Sequence, residues 1–273
     1  MNSTSMNNIQ EFVTYEALSL EVGNSIRMVC PVCNARHEKS FQITRTQSNL
    51  LYRCWRIACG VKGVVGSISR CIQPGEVVTH TQPKPRPLPY STSKVGVYEQ
   101  AIVWYKYRIT GESLGRAGVR WVEEVESLVF PCYTIDGEHV GYATKCLART
   151  NVFPKSLLFW NTSPPRYFKV MEWALRGDDT VYLVEDCLSA LKLWQAGVSS
   201  IALLGTKLDD STALEISKAY RKVVFCLDND ATAKAVELSR KYNLLFDKVS
   251  ILVPRVDPKD MPMDELENLL YVA

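Results

Sequence analysis

Val223-Val224-Phe225-Cys226-Leu227-Asp228-Asn229-Asp230 is the stretch that decides the fold: an apolar run of strand length ends in two carboxylates one residue apart. A strand buried on both faces reads as a continuous apolar run. In an open α/β sheet, ligands bind beyond the carboxyl ends of the strands. Asp228 and Asp230 at such an end suit a hard divalent cation, because Mg2+ takes oxygen ligands and few of them from the protein. The same residues also read as a plain strand-to-helix loop with Asp230 as the helix N-cap. Taken alone, the stretch leaves both readings open.

Outward from it, strands and helices alternate. Val181–Val184 reads as a strand and Cys187–Gln195 as a helix. Ile201–Leu204 is a strand and Ser211–Tyr220 a helix, then Val223–Leu227 a strand and Ala231–Tyr242 a helix, and Lys248–Val253 a last strand. This alternation predicts an α/β domain on a parallel sheet. Upstream the pattern is α+β: Val95–Arg108 reads as helical, and Ser127–Thr134 and His139–Ala148 as a strand pair around Asp136-Gly137. Prolines 74, 83, 85, 87 and 89 mark residues 73–93 as an extended linker. The expected organisation is therefore a cysteine-rich domain at 1–72 with a short helix near Glu11–Leu20, a linker at 73–93, and two halves of a larger body at 94–177 and 178–273.

Hydrophobic residues make up 47% of the 273 and charged ones 22%, an ordinary globular composition. The net charge of +3 is unevenly spread. Residues 1–93 carry ten Lys/Arg against five Asp/Glu, and residues 94–273 carry 22 against 24. A basic N-terminal part beside a slightly acidic remainder suits nucleic acid at one end and metal chemistry at the other. No apolar segment has the length of a membrane span. The polar N-terminus lacks the build of a signal peptide. A cytoplasmic protein without membrane partners is expected, and in that compartment nine cysteines read as metal ligands and buried thiols rather than disulfides.

Four of those cysteines form a pattern. Cys30-Pro-Val-Cys33 is followed by Cys54-Trp-Arg-Ile-Ala-Cys59, two close thiol pairs with a hairpin-sized insert between them. That spacing makes a tetrahedral cage for one structural Zn2+. Gly60 and Gly63 allow the tight turns beside the second pair. Ser40–Thr46 and Asn49–Arg53 are the strands of the insert. So small and polar a segment draws much of its folding free energy from the metal. His37 reads as a surface residue, and Cys71, Cys132, Cys146, Cys187 and Cys226 as structural thiols. Arg36, Lys39, Arg45, Arg53, Arg56 and Lys62, interleaved with Phe41, Tyr52 and Trp55, fit a surface that neutralises phosphates and stacks on unpaired bases. A solvated basic face over a packed hairpin is the other reading.

The carboxylates also recur. Val181–Val184 ends in Glu185-Asp186, Leu204-Gly205-Thr206 is a small turn after the next strand, and Val256-Asp257-Pro258-Lys259-Asp260 follows the last one. This order resembles the TOPRIM domain shared by primases, topoisomerases and some nucleases, over about residues 178–264. The resemblance implies that Glu185, Asp228 and Asp230 hold Mg2+ or Mn2+. It also implies that Asp260, preceded by Lys259, joins them as a catalytic acid. The chain departs from the family pattern at Asp186, where Gly is common, and at Ser189, where several phage primases carry an acid, so the ligands of a second metal stay open. Cys30–Gly63 is similar to the zinc-binding domain of bacteriophage T7-type primases. Leu114–Trp121, Leu128–Tyr133 and Gly141-Tyr142 are similar to the N-terminal half of the primase core.

This resemblance implies a DNA primase that makes short RNA primers on single-stranded DNA from nucleoside triphosphates, a phage protein acting in the host cytoplasm. Lys145, Arg149 and Lys155 are the candidates for holding triphosphate, with Lys207 a weaker one. No Gly-x-x-x-x-Gly-Lys-[Ser/Thr] loop occurs in the sequence, so the helicase is expected as a separate partner. A TOPRIM-type nuclease and a non-enzymatic zinc-ribbon adaptor are the competing readings.

Overall fold

The computed structural model describes residues 3–18, 20–34, 38–66, 84–148, 154–170 and 179–272. Arg36, His37, Cys71, Arg149 and the first part of the expected linker lie outside them. The chain forms two compact units: residues up to His80 together with Asp209–Lys218 and Lys241–Asp247, and the remainder from Thr81.

The first unit opens with helix α1 (Ser3–Glu16) and a four-stranded antiparallel sheet in chain order, β1 (Ser25–Met28), β2 (Phe41–Arg45), β3 (Asn49–Cys54) and β4 (Lys62–Gly66). Ile9, Val13 and Ala17 recur every four residues, so they share one helix face. They pack with Phe41, Ile43, Leu50 and Tyr52 in a small core. Phe41 and Tyr52 are thus packing residues, and only Trp55 of the three aromatics is exposed. The stacking role expected of Phe41 and Tyr52 is not available to them.

Three of the basic residues are likewise committed inside this unit, Arg45 by donating to the Leu20 carbonyl at 2.8 Å. Lys62 Nζ donates to the carbonyls of Ser217 (2.7 Å) and Leu245 (3.0 Å). Arg53 donates to the Phe246 carbonyl (2.6 Å) and pairs with Asp247. Asp210 is buried and accepts from Tyr242 Oη (2.9 Å) and Asn49 Nδ2, with Lys241 Nζ at 2.7 Å.

In the second unit, β5 (Ser93–Lys94), β6 (Arg120–Val122), β7 (Ser127–Tyr133), β8 (His139–Cys146) and β9 (Leu158–Trp160) form an antiparallel sheet in sequence order. Helices α2 (Val97–Tyr107) and α3 (Gly111–Arg116) lie between β5 and β6 in the chain. The Thr110 hydroxyl caps α3 by accepting the Ser113 N–H at 3.0 Å. The second sheet has the order β10-β12-β11-β13-β14, from β10 (Phe168–Lys169), β11 (Thr180–Val184), β12 (Ser200–Ala202), β13 (Lys222–Phe225) and β14 (Lys248–Ile251). All its pairings are parallel except β10 with β12. The expected strand–helix alternation is present along the chain, with α4 (Cys187–Gln195), α5 (Asp210–Ala219), α6 (Thr232–Tyr242) and α7 (Met263–Val272), although α5 belongs almost wholly to the first unit. No helix among the described residues is long and apolar enough to cross a membrane.

Candidate metal centres and active site

β11 and β13 lie side by side, and the chain leaves them in opposite directions: from β11 to β12 on one side, and from β13 to β14 on the other. Such a divergence opens a crevice beyond the carboxyl ends of the two strands. Glu185 and Asp186 follow β11, Asp228 follows β13, and Asp257 follows β14. These four acids line one cleft of about 660 Å3, together with Lys145, Lys155 and Lys259.

Glu185 is held at both ends. Its carbonyl accepts the Gly205 N–H at 3.0 Å, and its Oε1 accepts the Asp228 N–H at 3.1 Å. The turn that supplies Gly205 is tight, with Leu204 at φ 56° and Gly205 at φ 139°. Burial, and then the charge of Glu185, push Asp228 up to about 7. Burial also raises Glu185, and Asp230 and Asp257 add to the rise. Asp228 Oδ1 is buried with no hydrogen-bond partner among the described residues. A buried acceptor left unmet is costly. A divalent cation would satisfy it, and these all-oxygen donors fit Mg2+ or Mn2+.

Asp186 is used otherwise. Its Oδ1 caps α4 by accepting the N–H groups of Leu188 (2.9 Å) and Ser189 (3.2 Å). Its Oδ2 takes Ser189 Oγ (3.1 Å) and Lys259 Nζ (3.0 Å). Burial pushes Asp186 up, but Lys259 overrides this and holds it below the usual carboxylate range. Burial pushes Lys259 down, but Asp186 and Asp257, which also pairs with it, hold it above the usual lysine value. Beneath the loop, the buried Lys192 Nζ donates to the Lys259 carbonyl (3.0 Å) and to the Met261 carbonyl, and burial lowers it to about 8.

The other expected residues fall on both sides of the cleft boundary. Asp230 is exposed on the 3-10 turn Asn229–Ala231, where its charge reaches Glu185. Asp228, the residue at the N-cap position of that turn, makes no capping hydrogen bond with its side chain. Asp260 is exposed and outside the cleft lining. Asp257 occupies the inward position, and its carbonyl accepts the Asp260 N–H at 2.8 Å. The turn aims the earlier acid inward and the later one outward. Lys207 is exposed and off the cleft, whereas Leu204 and Gly205 line it. Arg86, Trp160 and Lys192 carry no local signal that singles them out in the sequence.

The cysteine quartet is assembled. One sulfur from each of Cys30, Cys33, Cys54 and Cys59 lies within 4.8 Å of all the others. The Asn34 N–H donates to the Cys30 carbonyl (2.9 Å), and the Gly60 N–H, at φ 60°, to the Arg56 carbonyl (3.1 Å), which forms the two knuckle turns. Burial pushes the Cys30 thiol up to about 12 and raises Cys59. A bound cation is what makes thiolates tenable in such a place. The four-thiol set fits zinc.

No protein-family model matches the chain. Over 114 residues it is 29% identical to a DNA primase of Enterococcus faecalis, a match covering 39% of this chain and 18% of that protein. The chain therefore spans less than a fifth of that relative's length. Among solved structures, it is similar to the zinc-binding and RNA polymerase domains of the Aquifex aeolicus primase, at 15% identity and a TM-score of 0.53, covering 100% of this chain and 86% of that one. It is also similar to a DnaG primase catalytic domain bound to single-stranded DNA, at 16% identity and a TM-score of 0.50, covering 63% and 70%. The chain has the fold of a zinc-binding domain joined to a primase core, as the motifs lead one to expect.

Proposed function

We propose that this chain is a DNA primase that joins ribonucleoside triphosphates into short primers on single-stranded DNA, working with a helicase in the cytoplasm. The observation that carries this reading is one cleft in which Glu185 and Asp228 meet Lys145 and Lys155 at the divergence of two parallel strands. The reaction attacks an α-phosphate with a 3′-hydroxyl, breaks the bond to the β-phosphate and releases pyrophosphate.

Glu185 and Asp228 would hold the divalent metal, with the exposed Asp230 near enough for its charge to act on Glu185. When bound, the metal lowers the pKa of the attacking hydroxyl and screens the phosphates. Lys145 and Lys155 neutralise the triphosphate. Burial pushes Lys145 below the usual lysine value, and the charge of Asp186 opposes that fall. Lys259, fixed between Asp186 and Asp257, keeps a positive charge beside the acids. Asp257 takes the part the sequence reading gave to Asp260. In the zinc unit, Trp55 is the exposed aromatic left for template bases, with the Arg53 guanidinium carbon 4.6 Å and that of Arg27 5.9 Å from its ring centroid.

Incubation with single-stranded DNA, Mg2+ and labelled nucleotides tests this reading. Short RNA products that depend on the template are expected. Shortened DNA would make the protein a nuclease, and neither product would make it an adaptor.

A further inference from the structure

The segment expected to be a linker reaches the cleft. Lys84-Pro85-Arg86-Pro87 runs along the edge of β9: the Arg86 N–H donates to the Trp160 carbonyl (2.9 Å) and the Trp160 N–H to the Arg86 carbonyl (2.6 Å). Proline has no N–H to give a ladder. Pro85 and Pro87 therefore leave Arg86 as the residue of this triplet that can pair, which fixes the register. The Arg86 guanidinium carbon lies 5.1 Å from the Phe159 ring centroid, and Arg86 lines the same cleft as Lys145 and Lys155. Among the described residues none of these three cations has a carboxylate at ion-pair distance, whereas Lys259 in the same cleft has two. Trp160 also lines the cleft, and its indole Nε1 is buried without an acceptor among the described residues.

We infer that Arg86 binds the terminal phosphates of the incoming nucleoside triphosphate, completing with Lys145 and Lys155 a polyphosphate site built partly from the linker. This rests on the nucleotidyl-transfer reading of the cleft. Three cations that line the cleft with no carboxylate at ion-pair distance among the described residues suit a polyanion, and a guanidinium meets phosphate oxygens with a two-pronged donor.

Titration calorimetry on the zinc-loaded full chain, without template so that no synthesis occurs, reads this directly with inorganic tripolyphosphate, ATP and AMP. Arg86→Gln is expected to weaken ATP and tripolyphosphate about tenfold or more while leaving AMP unchanged. Arg86→Lys, which keeps the charge and the backbone bridge, should recover much of the loss. Unaltered ATP binding in Arg86→Gln, or an equal loss for AMP, would overturn the inference. Template-dependent priming with Arg86-independent binding would sink this inference alone. Arg86-dependent tripolyphosphate binding in a protein that makes no primers would sink the primase reading alone.

Discussion

Cys30, Cys33, Cys54 and Cys59 come from two knuckle turns of one small sheet, whereas Glu185, Asp228 and Asp257 come from three separate strand ends. The first set is local, and the unit around it has only a small core. The second set is assembled by a sheet with an extensive core of its own, which holds the acids together against their repulsion. Asp228 is raised to about 7 by its burial first and by that repulsion second, and the charge of Lys259 offsets part of the rise. The thiols therefore make their fold, while the acids are imposed on theirs. Removing a ligand should have opposite structural consequences at the two sites.

The largest effect is expected at the thiols. Cys54→Ser should release the zinc and unfold the sheet around Phe41 and Tyr52, because binding worth about 10 kcal/mol or more in small zinc domains is also folding free energy. Metal analysis should find one zinc per chain in the parent and none in the variant, and a variant that keeps a tightly held zinc would remove the contrast.

A smaller loss is expected where the acid cleft is supported. Lys259→Met leaves Asp186 and Asp257 without their shared cation and should destabilise the protein by about 3 kcal/mol, the usual scale for breaking a buried pair. Denaturant unfolding of the two proteins measures it. An unchanged midpoint would mean that the acids do not need the lysine.

A third effect is in pH dependence. Asp228 has a folded pKa of about 7, against about 3.9 for a free aspartate. Its proton is held more tightly in the folded state, so without Mg2+ the contribution is present at low pH and is lost as the pH rises from about 4 to about 7. Melting temperatures of the parent and Asp228→Asn, zinc-loaded and free of Mg2+, should cross that window with a steeper fall for the parent, and Mg2+ should flatten it. A parent that gains stability relative to Asp228→Asn across the window would show the sign to be wrong.

How much could be read beforehand follows the same division. The β11 and β13 strands and helices α4 and α6 were legible because buried parallel strands are mostly apolar and the ends of these two carry acids, whereas β14, with Lys248 and Ser250 in it, is a half-exposed edge strand. The quartet was legible from spacing. The choice of Asp257 over Asp260 was not, because both follow β14 and the turn between them decides which points inward. Nor was the fate of Arg53 and Lys62, whose carbonyl partners at 217 and 245–246 lie far away in the sequence. β9 and β10, with three and two residues, are too short to show a period, and the pairing of Arg86 with Trp160 involves a segment whose prolines read only as linker.

Dinucleotide synthesis by Asp228→Ala, set beside Asp260→Ala, tests the central claim most directly. Asp228→Ala should lose at least about 10³-fold in rate, the scale of several kcal/mol of transition-state stabilisation, while keeping its fold and its zinc. Asp260→Ala should keep most of its activity. An Asp228→Ala protein that primes at the parent's rate would contradict the assignment of the cleft as a catalytic metal site.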